Sequence, residues 1–391
     1  MSESNTPNPN YEPGAHPDWP PPVKTTGVVG WVRLNLLSSP LNIVMTVVAL
    51  WFLGTVIPSL IEWLLINAVW DAENRVDCWK QMTFPGDPDY LSKELPRGWV
   101  QPGGCWAFIE SRMSLFVYGF YPEPERWRVK LSFLMLGIAV LAALWDKMPG
   151  RKYFLRYTMI FPFLAGWLLV GGFGLKPVET DLFGGIMLTL IIGVTGITFS
   201  LPLGIMLALG RRSKMPVVRI LCVLFIEFIR GVPLIALLFV AQAMLNYFMP
   251  PGTVFDLLAR VLIMVTLFSA AYKAEIVRGG LQGIPQGQYE AADALGLSYW
   301  KAHRLIILPQ ALKISIPSIV NSFIGLYKDT TLVLIIGMLD PLGIGKAALA
   351  DANWSGLARE VYLFIAIFFF ISCFSMSRYS IYLEKKLNTG H

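Results

Sequence analysis

Long runs of apolar residues, broken by short polar segments, are the main pattern of this 391-residue chain. The runs 182–210 and 231–255 hold 29 and 25 residues without Asp, Glu, Lys or Arg. Each is longer than the roughly 20 residues that an α-helix needs to cross a hydrocarbon core. The pattern therefore predicts an all-α, polytopic membrane protein.

We count about eight transmembrane helices along the chain. The second span is the weakest prediction, because a helix of 15 apolar residues, with a rise of about 1.5 Å per residue, is shorter than the hydrocarbon core of a bilayer. The predicted spans are 41–70, 131–145, 157–175, 182–210, 218–247, 255–272, 314–339 and 361–377. An even number of spans puts both termini on the same side of the membrane.

Three polar segments interrupt the spans. Residues 1–40, with seven prolines in the first 22, are predicted to form a disordered leader. Residues 71–130 form a large loop outside the membrane, and 273–313 form a second long polar segment. We divide the chain into this leader, an N-terminal extension over 41–175 and a membrane core over 181–387.

Composition excludes several classes of protein. Charged residues make up only 15% of the chain and the mean hydropathy is +0.56, whereas a soluble chain carries about 25% charge. The net charge of +6 comes from cations at the ends of apolar runs, which does not favour nucleic-acid binding. With three His, four Cys and no Cys-x-x-Cys or His-Glu-x-x-His motif, we expect no metal, no cofactor and no enzyme activity.

The orientation follows from the cations in the short connections. Segments 146–156, 211–217 and 273–313 and the C-terminal tail are rich in Lys and Arg, and all lie on the side of the N-terminus. Short loops on the opposite side hold few cations. The positive-inside rule then places both termini in the cytoplasm.

The outer loop holds Cys78 and Cys105, which are the only cysteines outside the predicted spans. An oxidising compartment would permit a disulfide between them. The alternative is two unpaired thiols.

Charged and polar residues within the spans are candidates for function, because charges are costly there. In the seventh span these are Asn321, Lys328, Asp329 and Thr330. They either fix contacts between helices or line a transport path. In the fifth span Glu227 and Arg230 are three residues apart, where they can pair on one helix face, and Gly231 and Pro233 predict a kink.

Two short helices are predicted in the long cytoplasmic segment. The first covers about 289–295 and ends at Gly296, and the second ends before Pro309. Small side chains at Ala291 and Ala292 keep the first helix slim, and Glu290 and Asp293 add negative charge near its N-terminus. From the residues alone, a docking element and an ordinary amphipathic loop both fit.

Sequence motifs in this segment match a known family. Glu290-Ala291-Ala292, then Gly296, then Ile306-x-Leu308-Pro309 reproduce without departure the EAA signature of ABC importer permeases. FIRGVPL, AEIVRGG and LYKDTTL resemble the polar amino acid (HisM/MetI-like) branch, whose usual form has Thr at the position of Val232. With its long N-terminal half, the chain resembles the M-type permease subunit of bacterial general L-amino acid transporters (AapM/BztC-like).

This resemblance implies a fold, partners and roles. The fold is a type I ABC importer (MetI-like) permease core over 181–387, with an EAA loop at 276–310, in the bacterial inner membrane. The partners are a Q-type permease subunit forming a heterodimer, a homodimeric ABC ATPase, a periplasmic binding protein and L-amino acids. The resemblance gives ATPase coupling to seven residues, namely Glu290, Ala291, Ala292, Asp293, Gly296, Leu308 and Pro309. The alternative function is a self-contained secondary transporter or channel that uses Lys328 and Asp329 for ion coupling.

Overall fold

A computed structural model of the chain describes residues 27–96, 98–145, 148, 150–244, 247, 250 and 255–387. Its regular elements are helices, and the β pairing in this part of the chain is limited to the bridges Val69–Cys105 and Gly172–Leu175. The all-α prediction is confirmed. Among the described residues two compact units are distinguished, one that ends at residue 68 and includes 98–104, and another that contains the rest.

The first unit contains α1 (Gly27–Asn35) and α2 (Pro40–Ile61). Ser39 caps α2, its hydroxyl accepting a hydrogen bond from the Asn42 N–H at 3.2 Å, and a π-helical turn, Glu62–Ile66, extends the helix. Helix α1 differs from the disordered leader predicted over 1–40, because its sequence, GVVGWVRLN, is apolar enough to form a helix. The proline-rich residues 1–26 lie outside the described residues.

Thirteen α-helices form the described part of the second unit. In chain order they are α3 (Arg75–Thr83), α4 (Ala107–Tyr118), α5 (Arg126–Leu144), α6 (Arg151–Val170), α7 (Gly185–Arg211), α8 (Pro216–Gly231), α9 (Leu234–Ala243), α10 (Leu257–Gln282), α11 (Gln286–Ala294), α12 (Tyr299–Ala302), α13 (Leu308–Asp329), α14 (Pro341–Ala348) and α15 (Ala358–Leu387). A π-helical turn, His303–Ile307, joins α12 to α13, and a 3₁₀-helix, Thr330–Ile336, follows α13.

Five helices among the described residues are long and apolar enough to cross a membrane: Pro40–Ile66, Gly185–Arg211, Leu257–Gln282, Tyr299–Ile336 and Ala358–Leu387. Helices α8 and α9 meet at an angle of 103°, and they add a sixth span if the bent pair is counted as one. The break confirms the kink predicted at Gly231 and Pro233. The predicted count of eight is approximate, because α5 and α6, of 19 and 20 residues, are not among these six.

Glycines allow close helix contact at the centre of the second unit. A Cβ added to Gly204 of α7 would lie 2.7 Å from the Lys273 Cβ and 3.0 Å from the Ala270 carbonyl oxygen of α10. A Cβ added to Gly196 would lie 2.9 Å from Leu326 of α13. Small residues permit such contacts between membrane helices, so these two glycines of α7 serve packing.

Two boundaries differ from the sequence prediction. Helix α10 continues to Gln282 instead of ending at Tyr272, so the long polar segment is shorter than expected. Pro309 does not follow a helix end. It occupies the first turn of α13, directly after the π-helical turn His303–Ile307, so the helical backbone continues through it.

Candidate functional site

The EAA loop (residues 276–310) connects α10 to α13 through α11 and α12. Gly296 ends α11 with a positive φ of +67°. The Leu297 N–H donates to the Ala292 carbonyl oxygen at 3.1 Å, and the Gly296 N–H donates to that of Asp293 at 2.9 Å. A residue in the left-handed region after the last turn is the usual helix stop, so Gly296 ends the helix as predicted.

Tyr289, one residue before the predicted motif, anchors α11. Its hydroxyl donates to the Leu281 carbonyl oxygen at 3.1 Å and accepts from Arg212 Nη1 at 3.2 Å. The Arg212 guanidinium lies 5.6 Å from the centre of the Tyr289 ring. These contacts join α11 to the end of α10 and to the connection after α7.

The predicted coupling residues divide between an exposed surface and a packed base. Ala292 is buried, with 1% exposure, and Leu308 is half-buried against the cluster that includes Leu281 and Ile307. The other five residues are exposed: Glu290, Ala291, Asp293, Gly296 and Pro309. The structure therefore holds one side of α11 and leaves its acidic and small side chains accessible.

Large apolar side chains are also exposed on this loop. Leu295 is 73% exposed and Trp300 is 70% exposed. Exposed apolar residues next to charged ones are typical of protein interaction sites. The loop can thus offer both apolar area and negative charge to a partner.

An ion-pair network joins α7, α8 and α10. Arg211 Nη1 lies 2.7 Å from Glu227 Oε1 and 2.9 Å from Glu275 Oε1, and Arg278 Nη2 lies 2.8 Å from Glu275 Oε2. The pair predicted between Glu227 and Arg230 is wrong in the described structure. Arg230 is instead 3.9 Å from Glu275, because α10 supplies a carboxylate that the spacing within α8 does not reveal.

The six candidate path residues are not all in one place. Arg230 and Asp329 both line a cavity of about 460 Å³ between α8, α10 and α13, which Glu275 also lines. Asn321 and Lys328 are exposed on α13. Thr330 is buried, and its hydroxyl donates to the Tyr327 carbonyl oxygen at 2.8 Å, which is a structural contact.

Lys273 is a buried cation that the sequence prediction missed. Its side chain is fully buried in α10, where the ammonium contacts the Ser269 hydroxyl and lies 4.8 Å from the centre of the Phe323 ring. The missed signal is the continuation of the Ala-rich helical pattern past Tyr272. In the sequence, its charge alone places Lys273 in the predicted polar segment.

Two helices of the outer loop, α3 and α4, belong to the second unit. Cys78 of α3 and Cys105 form a disulfide, with Cα atoms 5.9 Å apart. Phe108 of α4 contacts Trp354 at a ring distance of 5.5 Å, and Arg112 forms an ion pair with Asp351. The loop therefore packs against the segment between α14 and α15.

Asp77 lies next to the disulfide and organises α3. Burial acts to raise its pKa, but hydrogen bonds from the Glu73 N–H, the Tyr90 hydroxyl and the Gln81 amide lower the pKa below the usual value. The ionised carboxylate thus ties the start of α3 to the loop that follows it.

Comparison with known proteins defines the class of this membrane protein. Residues 200–389 match the family described as "Binding-protein-dependent transport system inner membrane component". The chain is 46% identical to the inner membrane amino-acid ABC transporter permease protein YhdY of Escherichia coli, over 96% of this chain and 97% of that protein. The chain therefore belongs to the family of inner membrane components of binding-protein-dependent transport systems.

A second relative extends over almost the same length. The chain is 43% identical to the glutamate/glutamine/aspartate/asparagine transport system permease protein BztC of Rhodobacter capsulatus, over 95% of this chain and 96% of that protein. Both relatives are named as permeases, not as enzymes. A crystal structure of an amino acid ABC transporter with histidines matches 52% of this chain and 92% of its own, with 29% identity and a TM-score of 0.46.

Proposed function

We propose that this chain is the M-type permease subunit of an ATP-driven ABC importer that moves L-amino acids across the bacterial inner membrane. In this proposal it forms a heterodimer with a Q-type permease, above a homodimeric ATPase and below a periplasmic amino acid-binding protein. The two relatives over nearly the full chain, both named as amino-acid permeases, support the substrate class.

The geometry of the EAA loop is the single observation that carries the proposal. Helix α11 is fixed to α10 and α7 through Tyr289, while Glu290 and Asp293 remain exposed beside Leu295. A rigidly anchored helix with a free outer surface can transmit a displacement from a docked partner to the spans. We assign this role to α11 and its stop at Gly296, with Leu308 and Pro309 at the base.

The mechanism that we propose is alternating access. Closure of the ATPase dimer on ATP brings the EAA loops of the two permeases together, and the spans move from an inward-facing to an outward-facing state. The binding protein then releases its amino acid into the path, and hydrolysis of ATP resets the subunits. By reciprocity, the loaded binding protein favours the ATP-closed state.

For the path itself we propose the cavity lined by Arg230, Glu275 and Asp329. An amino acid carries a carboxylate and an ammonium group, and this cavity offers one guanidinium and two carboxylates to them. Lys328 and Asn321, which are exposed on α13, would extend the path towards the second permease. The ion pair of Glu227 with Arg211 has a structural role in this scheme.

The proposed orientation keeps both termini and the EAA loop in the cytoplasm and residues 71–130 in the periplasm. The cations at Arg211, Arg212 and Arg278 are near the ends of α7 and α10 that adjoin the EAA loop, which agrees with the positive-inside rule. The disulfide between Cys78 and Cys105 supports the opposite location for the outer loop, because disulfides persist in oxidising compartments.

Reconstitution of the full complex in vesicles tests the proposal. Vesicles loaded with ATP should take up labelled amino acid in the presence of the binding protein, and vesicles without ATP should not. An ionophore that collapses ion gradients should leave this uptake unchanged. Uptake that needs an ion gradient and no ATP would instead show the alternative function, a secondary transporter using Lys328 and Asp329.

A further inference from the structure

An apolar cavity of about 380 Å³ lies between α5, α6, α7 and α10, apart from the proposed path. Its size is within the range of small-molecule sites in proteins, about 300–1,000 Å³. Nearly all of its wall is apolar, with several phenylalanines: Phe133, Phe161, Phe163, Phe183 and Phe199. A cavity with this lining favours a hydrocarbon ligand.

The cavity extends along the direction of α7. On α7 and the residues just before it, the lining extends from Phe183 to Phe199, which corresponds to about 24 Å along a helix at 1.5 Å per residue. That length covers most of a hydrocarbon core of about 30 Å. An extended chain fits such a space better than a compact molecule does.

The lining is open on the side of the cavity where Phe163 is 66% exposed and packs edge to face with Phe199 at 5.2 Å. Leu190 and Val194 of α7 are also only half-buried. Because α7 and α10 span the membrane, this opening is at the depth of the lipid tails. Lipid acyl chains can therefore reach the cavity.

One end of the cavity is polar. Ser132 of α5 is 4% exposed, and its hydroxyl has no hydrogen-bond partner among the described residues. Thr180 and Asp256, which also line the cavity, bond to each other. One helical turn before Ser132, Arg128 donates to the Lys176 carbonyl oxygen at 2.7 Å, which places Ser132 towards the end of the cavity near Thr180.

A buried hydroxyl without a partner is costly, and a ligand carbonyl would satisfy it. We infer that this cavity binds one acyl chain of a membrane phospholipid, with the ester carbonyl accepting a hydrogen bond from Ser132. The bound chain fills the space between the helix pair α5–α6 and the core helices α7 and α10. It thereby joins the N-terminal extension to the transport core.

Two helical glycines supply a matched pair of variants. Gly166 of α6 lines the cavity, and a Cβ added there meets no atom within 4 Å, so Gly166→Phe places a ring in the space of the acyl chain. Gly137 of α5 also has open space around an added Cβ but does not line the cavity, so Gly137→Phe is the control. Ser132→Ala removes the hydroxyl and little volume.

The test uses the full-length chain in vesicles of phosphatidylethanolamine and phosphatidylglycerol that include a phosphatidylglycerol with a diazirine on one acyl chain. After irradiation, mass spectrometry of peptides should find adducts on the lining segments of α6 and α7 in the wild type and in Gly137→Phe. In Gly166→Phe these adducts should fall to background. Ser132→Ala should lower their yield by about threefold, as expected for one hydrogen bond.

Three results would overturn the inference. Equal adduct yields in Gly166→Phe and Gly137→Phe would show that the cavity is not the binding site. Loss of the adducts on adding unlabelled free fatty acid would identify a fatty acid, not a phospholipid, as the occupant. Absence of lining adducts in the wild type would mean that protein side chains or nothing fill the cavity.

Discussion

At the end of α11, a single backbone angle sets the shape of the proposed coupling element. Gly296 has φ +67°, in the left-handed region, although an added Cβ would meet no atom within 4 Å. The requirement for glycine is therefore conformational and not steric. Any other residue in this region carries a cost of about 1–2 kcal/mol.

Gly296→Ala should loosen the end of α11 and reduce amino acid uptake several-fold. Alanine at the positive φ of this position strains the backbone by about 1 kcal/mol or more, and the helix end then no longer fixes the loop. Gly287, on the same helix without a positive φ, is the control. Gly287→Ala should preserve uptake, since the backbone angle at Gly287 suits alanine and an added Cβ meets no atom within 4 Å. Equal uptake by the two variants in reconstituted vesicles would contradict the role of Gly296.

Asp340 is a second residue whose side chain has a definite effect, here on the stability of the protein. It caps α14, its Oδ1 accepting from the Gly343 N–H at 2.9 Å, and its side chain is fully buried. Burial raises the pKa of Asp340 from 3.8 to about 6, against the lowering effect of the backbone hydrogen bonds from Gly343 and Leu342. Because the folded state disfavours the charge, Asp340 costs stability once it ionises.

Asp340→Asn should therefore stabilise the protein at neutral pH, since asparagine keeps the capping oxygen and removes the charge. The gain over wild type should be small near pH 4, increase as the pH rises to about 6, and then stay constant at up to about 3 kcal/mol. Thermal unfolding in detergent from pH 4 to 8 measures it. The exposed Asp89→Asn is the control, and a gain that does not depend on pH would contradict the buried charge.

At the scale of elements, the helices of the outer loop depend on a cross-link. The disulfide between Cys78 and Cys105 closes a loop with a sequence separation of 27 residues. Both sulfurs are buried with Phe108, Trp354 and Leu357, so the cross-link belongs to the core that α3 and α4 share with α14 and α15.

Replacing both cysteines, Cys78→Ala with Cys105→Ala, should lower the free energy of unfolding by about 3–4 kcal/mol, as expected for a loop of this length. The thermal unfolding midpoint measures this loss, and reduction of the wild type should reproduce it. The free cysteines Cys222 and Cys373 provide the control pair for replacement with alanine. An unchanged midpoint in the first variant would show that the cross-link does not hold the outer helices.

The elements also show how far the sequence predicts the fold. The apolar runs are longer than those of soluble proteins, so spans such as α7 and α15 follow from the length of these runs. The end of α10 does not follow from the sequence, because charged residues such as Lys273 and Glu275 are typical of a loop. In the structure Lys273 is buried and Glu275 pairs with Arg211. Contacts between segments that are distant in the chain determine such boundaries, and a single sequence does not reveal these contacts.

The candidate site shows the same division. The helix stop at Gly296 and the break near Pro233 were predictable, because local backbone geometry determines them. The pairing of Glu227 was not, since Arg211 reaches it from another helix. Tyr289 was missed for a similar reason, because its importance comes from Arg212 and Leu281.

At the scale of the whole molecule, the proposed mechanism transmits force from the ATPase to the spans through the EAA loop. Described contacts tie the loop to α7, α10 and α13 within the second unit, through Tyr289 and the cluster around Ile307. In the proposed function, the exposed residues on α11 bind the ATPase. Docking should depend on the charge at Glu290, because interface charges affect affinity strongly when they become buried.

Uptake and ATPase activity measured together on Glu290→Lys test this claim most directly. The control is Glu94→Lys, which makes the same charge change at an exposed site in the outer loop. In vesicles with the full complex, Glu290→Lys should lose uptake by about tenfold or more, together with the stimulation of ATPase by loaded binding protein, whereas Glu94→Lys should retain both. Wild-type uptake and stimulation in Glu290→Lys would contradict the account.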